Sequence, residues 1–398
     1  MIDYSSLLSE KVQEIKPSGI RKFSELAAEM GNVISLGVGE PDFQTPWAIR
    51  QAGIESLERG RTHYSPNAGF RELKQEIDRY LERRMGLSYS EEETMVTIGG
   101  SEAIDMMIRA VIDPGDEVLI PEPCYVSYDP IARLTGAKVV SIPTRFEDDF
   151  RLTAEALKAA ITPKSKLLIF PYPNNPTGGI MEREDLEAIA EVLRDTNILV
   201  LSDEIYAELT YGGKKHVSIA SIDGMRERTI VVNGFSKTYA MTGWRLGYAV
   251  GPAPLIREMI KIHQFAIMCA PTTSQLAAVE ALRSCDEEIE AMRDEYDMRG
   301  KYLVGELNRI GLECFQPQGA FYVFPSIRRT GLSSEEFCER LLREERVAVI
   351  PGSAFGSWGE GHIRISYCYS LQHLKIAVRK IEKFLKKLER EKHENGQG

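Results

Sequence analysis

Several large classes of protein are ruled out by what this sequence lacks. No run of about 18 apolar residues is present, so no membrane-crossing helix is expected. The start, MIDYSSLLSEKVQEIKPSG, mixes acids, bases and apolar residues; a secretory leader would set a basic stretch before an apolar one, so none is expected. The cysteines are Cys124, Cys269, Cys285, Cys314, Cys338 and Cys368, scattered and without a CxxC pair, and the histidines form no HExxH or HxxxH pair. A disulfide framework, a zinc knuckle and a metal-dependent enzyme are therefore poor readings, and a cytoplasmic location is expected. Excess positive charge is also missing: 49 Lys and Arg against 59 Asp and Glu leave a net charge of −10. That argues against a broad nucleic-acid footprint and leaves room for a local basic pocket holding a small anion. There is no internal repeat or low-complexity segment.

What is present reads as α/β. At roughly 100–200 residues per domain, 398 residues suggest two or three domains. Short apolar runs at 94–98, 117–121, 138–143, 166–171, 198–202, 229–235 and 246–250 predict seven strands. Helical patterns at 47–59, 70–85, 101–112, 123–135, 153–160 and 183–195 precede them or lie between them. Such alternation predicts βαβ units and a mostly parallel sheet covered on both faces. A helical pattern at 20–30 leads into an extended 33–36. A long helical stretch at about 273–309 follows the sheet region. Strand pairs at 319–325, 347–352 and 362–367, with helices 334–344 and 371–389, predict a smaller α+β domain. The expected division is 1–46 for an N-terminal arm and part of the small domain, 47–285 for the large domain, and 286–398 for a linking helix and the small domain. The last residues, EKHENGQG, are expected to fray.

In an open α/β sheet, ligands bind beyond the carboxyl ends of the strands. Gly99-Gly100-Ser101 follows the run at 94–98. Tyr172-Pro173-Asn174-Asn175-Pro176-Thr177-Gly178 follows 166–171, Asp203-Glu204-Ile205-Tyr206 follows 198–202, and Ser236-Lys237 follows 229–235. Paired glycines opening a helix offer free N–H groups and about half a positive charge, which suit a phosphate. Arg245 adds a permanent cation for the same anion. Asp203 offers a fixed carboxylate, Asn175 and Tyr206 neutral hydrogen bonds, and Lys237 an amine nucleophile once its pKa falls. A phosphate, a basic nitrogen, a phenolic oxygen and an aldehyde on one molecule describe pyridoxal 5′-phosphate (PLP).

The motifs SLGVGEPDF (35–43), THYSPNAG (62–69), IGGSEA (98–103), PNNPTG (173–178), SDEIY (202–206), FSKTYAMTGWRLGY (235–248), GAFY (319–322) and RISY (364–367) run in order through nearly the whole chain. In them the sequence resembles the fold-type I, class I PLP-dependent aminotransferases, in the subgroup of bacterial and archaeal aspartate, aromatic and N-acetyl-diaminopimelate enzymes. The resemblance implies that Lys237 binds the cofactor aldehyde covalently and then serves as the proton-transfer base. A lysine at a strand end with its head in water is the ordinary alternative, and the SKxxxMTGWR setting argues against it. By the same resemblance Asp203 pairs with the pyridine nitrogen, Asn175 and Tyr206 bond the ring oxygen, and Tyr125 stacks on the ring. The ordinary readings are a helix cap, a turn asparagine and packed tyrosines. Gly100, Ser101 and Glu102 match the phosphate cup through their backbone N–H groups, and Ser236 and Arg245 match further phosphate ligands. An acidic Glu102 fits only with its carboxylate turned away and its amide turned in. Tyr64 matches a residue that reaches the phosphate of a neighbouring subunit, implying a homodimer with shared active sites. Arg364 and the Gly39 backbone match the grip on the substrate α-carboxylate; a surface ion pair is the alternative for Arg364.

The reaction so implied is ping-pong transamination between an L-amino acid and a 2-oxo acid, with 2-oxoglutarate expected as acceptor. A β-lyase cleaving C–S bonds would use the same motifs and stays open. A regulator with an aminotransferase-like sensor domain would need a DNA-binding module, for which the short acidic arm has no room. Some aspartate-specific relatives carry a lysine where Ser101 stands, so a strict aspartate preference is not expected. SGIRKF (18–23), PYPNNPTG and AELTY resemble the N-acetyl-diaminopimelate enzymes, with aromatic aminotransferases close behind. Arg21 is a candidate for reading the far end of the substrate.

Overall fold

A computed structural model describes residues 2, 4–17 and 19–394. The strands are β1 (Ile34–Ser35), β2 (Thr94–Thr97), β3 (Glu117–Glu122), β4 (Lys138–Pro143), β5 (Ser165–Phe170), β6 (Leu199–Asp203), β7 (Thr229–Gly234), β8 (Gly247–Val250), β9 (Tyr322–Val323), β10 (Val347–Ala348), β11 (Ile350–Pro351) and β12 (Ile363–Ser366). Seven of them form one sheet in the order β2-β8-β7-β6-β5-β3-β4. Only β8 runs against its neighbours. The sheet is therefore mostly parallel and seven-stranded, and each strand lies within a residue or two of the apolar run that predicted it.

Except on the edge strand β4, where Lys138 and Ser141 are exposed, the apolar runs do not alternate with polar residues because both faces are buried. Val118, Ile120, Leu167, Ile169 and Leu201 pack to one side, with Ile104, Met107 and Ile108 of the helix Gly99–Val111 and Ile256 and Met259 of the helix Ala253–Ala266. Leu119, Leu168, Phe170 and Val200 pack to the other, with Leu186, Ile189 and Leu193 of the helix Arg183–Leu193. A second core lies among Tyr296, Phe321, Phe324, Phe337, Tyr367 and Phe384. It joins the short antiparallel sheet β11-β12-β9 to the helices Asp286–Arg309, Ser334–Glu345 and Leu371–Glu394. The arm contributes β1, which pairs in parallel with β10. Among the described residues no helix is long and apolar enough to cross a membrane.

The structure corrects some element boundaries. The stretch expected as one helix at 273–309 is two, Thr272–Ser284 and Asp286–Arg309, parted at Cys285. Asp286, Glu287 and Glu288 occupy the first turn of the second helix, where the helix dipole favours acids. The helix expected from 123 begins only at Tyr128, because β3 runs on to Glu122 and residues 123–127 form a bend and a turn in which the Cys124 amide donates to the Phe355 carbonyl at 3.0 Å. The helix Ala253–Ala266 was not anticipated, although Pro252 and Pro254 open it and Ile256, Met259 and His263 mark its buried side. The C-terminal helix continues to Glu394, so the first half of the expected frayed tail is helical; residues 395–398 lie outside the described residues.

Candidate active site

The carboxyl ends of β2, β3, β5, β6 and β7 open on one rim, and a cleft of 1550 Å³ lies along it. All the residues expected at the site line this cleft except Glu102 and Tyr64. The antiparallel β8 explains why Arg245 joins them. β8 starts at the rim where its neighbours end, with Gly247 opposite both Thr97 and Gly234, and Arg245 stands two residues before it. Arg245 has left-handed backbone, φ 52°, and its Nη1 donates to the Thr242 carbonyl at 3.0 Å. A Cβ on Gly99 would sit 3.0 Å from Arg245 Nη2. The guanidinium thus lies against the start of the Gly99–Val111 helix. Gly99 itself has φ +71°, and a Cβ on Gly247 would come within 2.8 Å of the Gly100 nitrogen. These glycines let the helix start lie directly on the strand. By helix geometry the first N–H groups have no partner inside the helix, so Gly100 and Ser101 present theirs at the rim. Ser236, 9% exposed, follows β7 on the short helix Phe235–Thr238.

Lys237 occupies the next position. Its Nζ donates to the Gly39 carbonyl at 2.6 Å. Burial lowers its pKa to about 8, Arg364 and Arg245 push the same way, and Cys368 and Glu40 push back. The dehydrated part of the expected setting is present, whereas the cationic part is outweighed by Cys368 and Glu40, so burial carries the shift. Arg364 is 2% exposed, so it is no surface ion-pair residue. Its guanidinium lies against the rings of Tyr322 and Phe355, 4.5 and 4.9 Å from their centroids. Nη1 donates to Asn175 Oδ1 at 2.9 Å and Nη2 to the Gly37 carbonyl, while Nε, buried, has no partner among the described residues. Amine and guanidinium are therefore tied to carbonyls two residues apart, a span of at most about 7 Å along the backbone. Arg364 enters from β12, so the second core supplies one wall of the cleft.

The neutral groups have distinct tasks. In the Asn-Asn pair, Asn174 makes the turn, its Oδ1 accepting from the Thr177 amide and hydroxyl at 3.2 and 3.0 Å. That frees Asn175, whose oxygen is taken by Arg364 and whose NH₂ remains a donor. Asp203 is buried. One oxygen accepts from the Ile205 amide at 3.2 Å, the other from the Tyr128 hydroxyl at 2.7 Å. Burial raises its pKa from the ordinary value despite those bonds. The Tyr206 hydroxyl pairs with that of Tyr322 at 2.9 Å. Tyr125 is half-buried and stands edge-on to Tyr128, centroids 5.6 Å apart. The Glu102 carboxylate does not face the cleft; it accepts from the Ile98 amide at 2.5 Å and meets His263 Nδ1 at 2.7 Å. Tyr64 is 81% exposed. Arg21 lines the cleft and pairs with Glu25, at 3.0 Å between two exposed side chains.

Tyr128, Tyr322, Phe355 and His263 were missed as site residues. Tyr322 stood in the quoted GAFY motif without a role, and Tyr128 lies three residues after Tyr125. Nothing in the sequence pattern pointed to Phe355 or His263.

The donor set fits PLP. A buried carboxylate with a raised pKa lacks the cation that a protonated ring nitrogen provides. A buried guanidinium with an unsatisfied Nε lacks an anion. A helix start beside Arg245 suits a phosphate, and an amine of lowered pKa suits an aldehyde.

Comparison with known proteins agrees. The family model described as aminotransferase class I and II matches residues 31–381. A putative aminotransferase of Bacillus subtilis (strain 168) is 52% identical over 96% of this chain and 99% of its own. An aspartate aminotransferase of Pyrococcus abyssi is 46% identical over 95% and 98%. The crystal structure of an aromatic aminotransferase from Pyrococcus horikoshii superposes with a TM-score of 0.88 at 46% identity, covering 92% of this chain and 99% of that one.

Proposed function

The chain belongs to the class I and II aminotransferases, and from that premise we propose how its own residues carry out the transfer. It is a PLP-dependent enzyme moving an amino group between an amino acid and a 2-oxo acid. Bound PLP supplies the sink for the electron pair left when the Cα–H bond of the amino acid breaks.

In our reading the N–H groups of residues 100–102, with Ser236 and Arg245, hold the phosphate. Asp203, oriented by Tyr128, holds a proton on the ring nitrogen. Asn175 and Tyr206 bond the ring oxygen, and Tyr125 covers the ring. Arg364 binds the substrate α-carboxylate, and its fixed guanidinium turns the Cα–H bond toward Lys237. Lys237 Nζ takes the Cα proton; a pKa of about 8 leaves a useful fraction of neutral amine near pH 7. A single carboxylate grip serves both half-reactions, so donor and acceptor use it in turn, which is ping-pong order. The observation that carries this reading is the pair Lys237–Arg364, amine and guanidinium anchored on Gly39 and Gly37.

We take 2-oxoglutarate as the acceptor. Its distal carboxylate needs a cation near the cleft mouth, and Arg21, in an exposed and therefore weak pair with Glu25, is free to turn to it. The donors to compare are N-acetyl-diaminopimelate, aromatic amino acids and aspartate. Exposed Tyr64, with Trp47 and Phe265 at 59% and 88% exposed, supports a homodimer in which Tyr64 reaches the phosphate of the second copy. Six unpaired cysteines support a reducing, cytoplasmic setting. The test is incubation of the PLP-loaded protein with each donor and 2-oxoglutarate. Glutamate is the expected product; ammonia and pyruvate without glutamate would instead assign a lyase.

A further inference from the structure

Glu102 poses an electrostatic conflict. It belongs to the first turn of the Gly99–Val111 helix, where a full negative charge opposes any anion held by the neighbouring N–H groups. Yet its carboxylate is spent elsewhere. Oε2 accepts from the amide of Ile98, the residue before the helix, at 2.5 Å. Oε1 lies 2.7 Å from Nδ1 of His263. A carboxylate only accepts, so Nδ1 is the donor. His263 is fully buried on the helix Ala253–Ala266, and among the described residues its Nε2 has no partner. Among the described residues its bond to Glu102 is therefore the polar tie that fixes the ring.

We propose that Glu102, oriented by His263, is a positioning residue for the phosphate seat. The proposal rests on the PLP reading above. The carboxylate takes the Ile98 N–H, which lies outside the seat, and fixes the peptide entering the helix. The amides of Gly100 and Ser101 are left free and correctly turned. His263 keeps the carboxylate from swinging into the seat, where it would compete with the phosphate for those amides. Neither side chain touches the cofactor. This reading and simple charge repulsion differ in sign: repulsion expects that removing the Glu102 charge tightens phosphate binding, whereas positioning expects that it weakens it.

The experiment measures dissociation constants of PLP and of pyridoxal, which lacks the phosphate, for the cofactor-free wild type, Glu102→Ala, Glu102→Gln and His263→Leu, with thermal unfolding of each. Glu102→Ala and His263→Leu are expected to weaken PLP by about tenfold, the scale of one hydrogen bond to a charged group, and to leave pyridoxal unchanged. Glu102→Gln, which keeps a carbonyl acceptor for Ile98, is expected to restore most of the loss. PLP binding that tightens or stays unchanged in Glu102→Ala overturns the proposal, as does an equal loss for PLP and pyridoxal. Wild-type protein that takes up no PLP overturns the reading beneath it, a separate and distinguishable result.

Discussion

Replacing Lys237 with methionine is expected to stabilise the cofactor-free protein at neutral pH and to do nothing of the kind in alkali. Burial lowers the folded-state pKa of Lys237 from 10.5 to about 8, so between those values the unfolded chain binds more protons than the folded one, and the stability contributed by this residue rises with pH. Below about pH 8 the full penalty of burying an ammonium applies. At about 1.36 kcal/mol per pKa unit, it is roughly 3 kcal/mol. Methionine removes it and also removes the hydrogen bond to the Gly39 carbonyl, which offsets about 1 kcal/mol. Urea unfolding of cofactor-free wild type and Lys237→Met should therefore show the variant more stable by about 2 kcal/mol at pH 7, with the gain gone near pH 10. An equal gain at both pH values, or a variant weaker at pH 7, would refute the claim that a buried, dehydrated amine sits there.

Three further substitutions probe the cleft. Arg364→Lys keeps the charge but loses the planar fork bonded to Asn175 and Gly37; kcat/KM for amino acids should fall by about 10²–10³, with PLP uptake, followed by absorbance, retained. Asp203→Asn cannot hold a proton on the ring nitrogen, so kcat should drop by about 10²–10³ while KM changes little in steady-state kinetics. Gly39→Ala would drive a methyl into the Tyr322 hydroxyl; it should cost about 1–3 kcal/mol in urea unfolding and disturb the Tyr206–Tyr322 pair.

Particular residues mark how much of this was legible in the sequence. The strands could be read because both faces of the sheet are buried, so runs such as Leu167 to Phe170 are apolar without interruption. The parallel order then places Gly100, Asn175, Asp203 and Lys237 on one rim. Local punctuation was harder. The break at Cys285 leaves no proline or glycine behind it, and the helix Ala253–Ala266 follows its strand so closely that its pattern was overlooked. The partners of the site residues were the least legible. Tyr322 and Phe355 meet Arg364 only because β9, β12 and the turn at 352–355 fold together, and His263 meets Glu102 across 161 positions of sequence. Motifs name the groups that touch a ligand; the groups that hold them are set by tertiary packing.

The most direct test of the central claim is covalent. The PLP-loaded protein is reduced with borohydride, digested and mapped by mass. The pyridoxyl group is expected on Lys237. A protein that leaves Lys237 unlabelled, or carries the group on another lysine, would contradict the account.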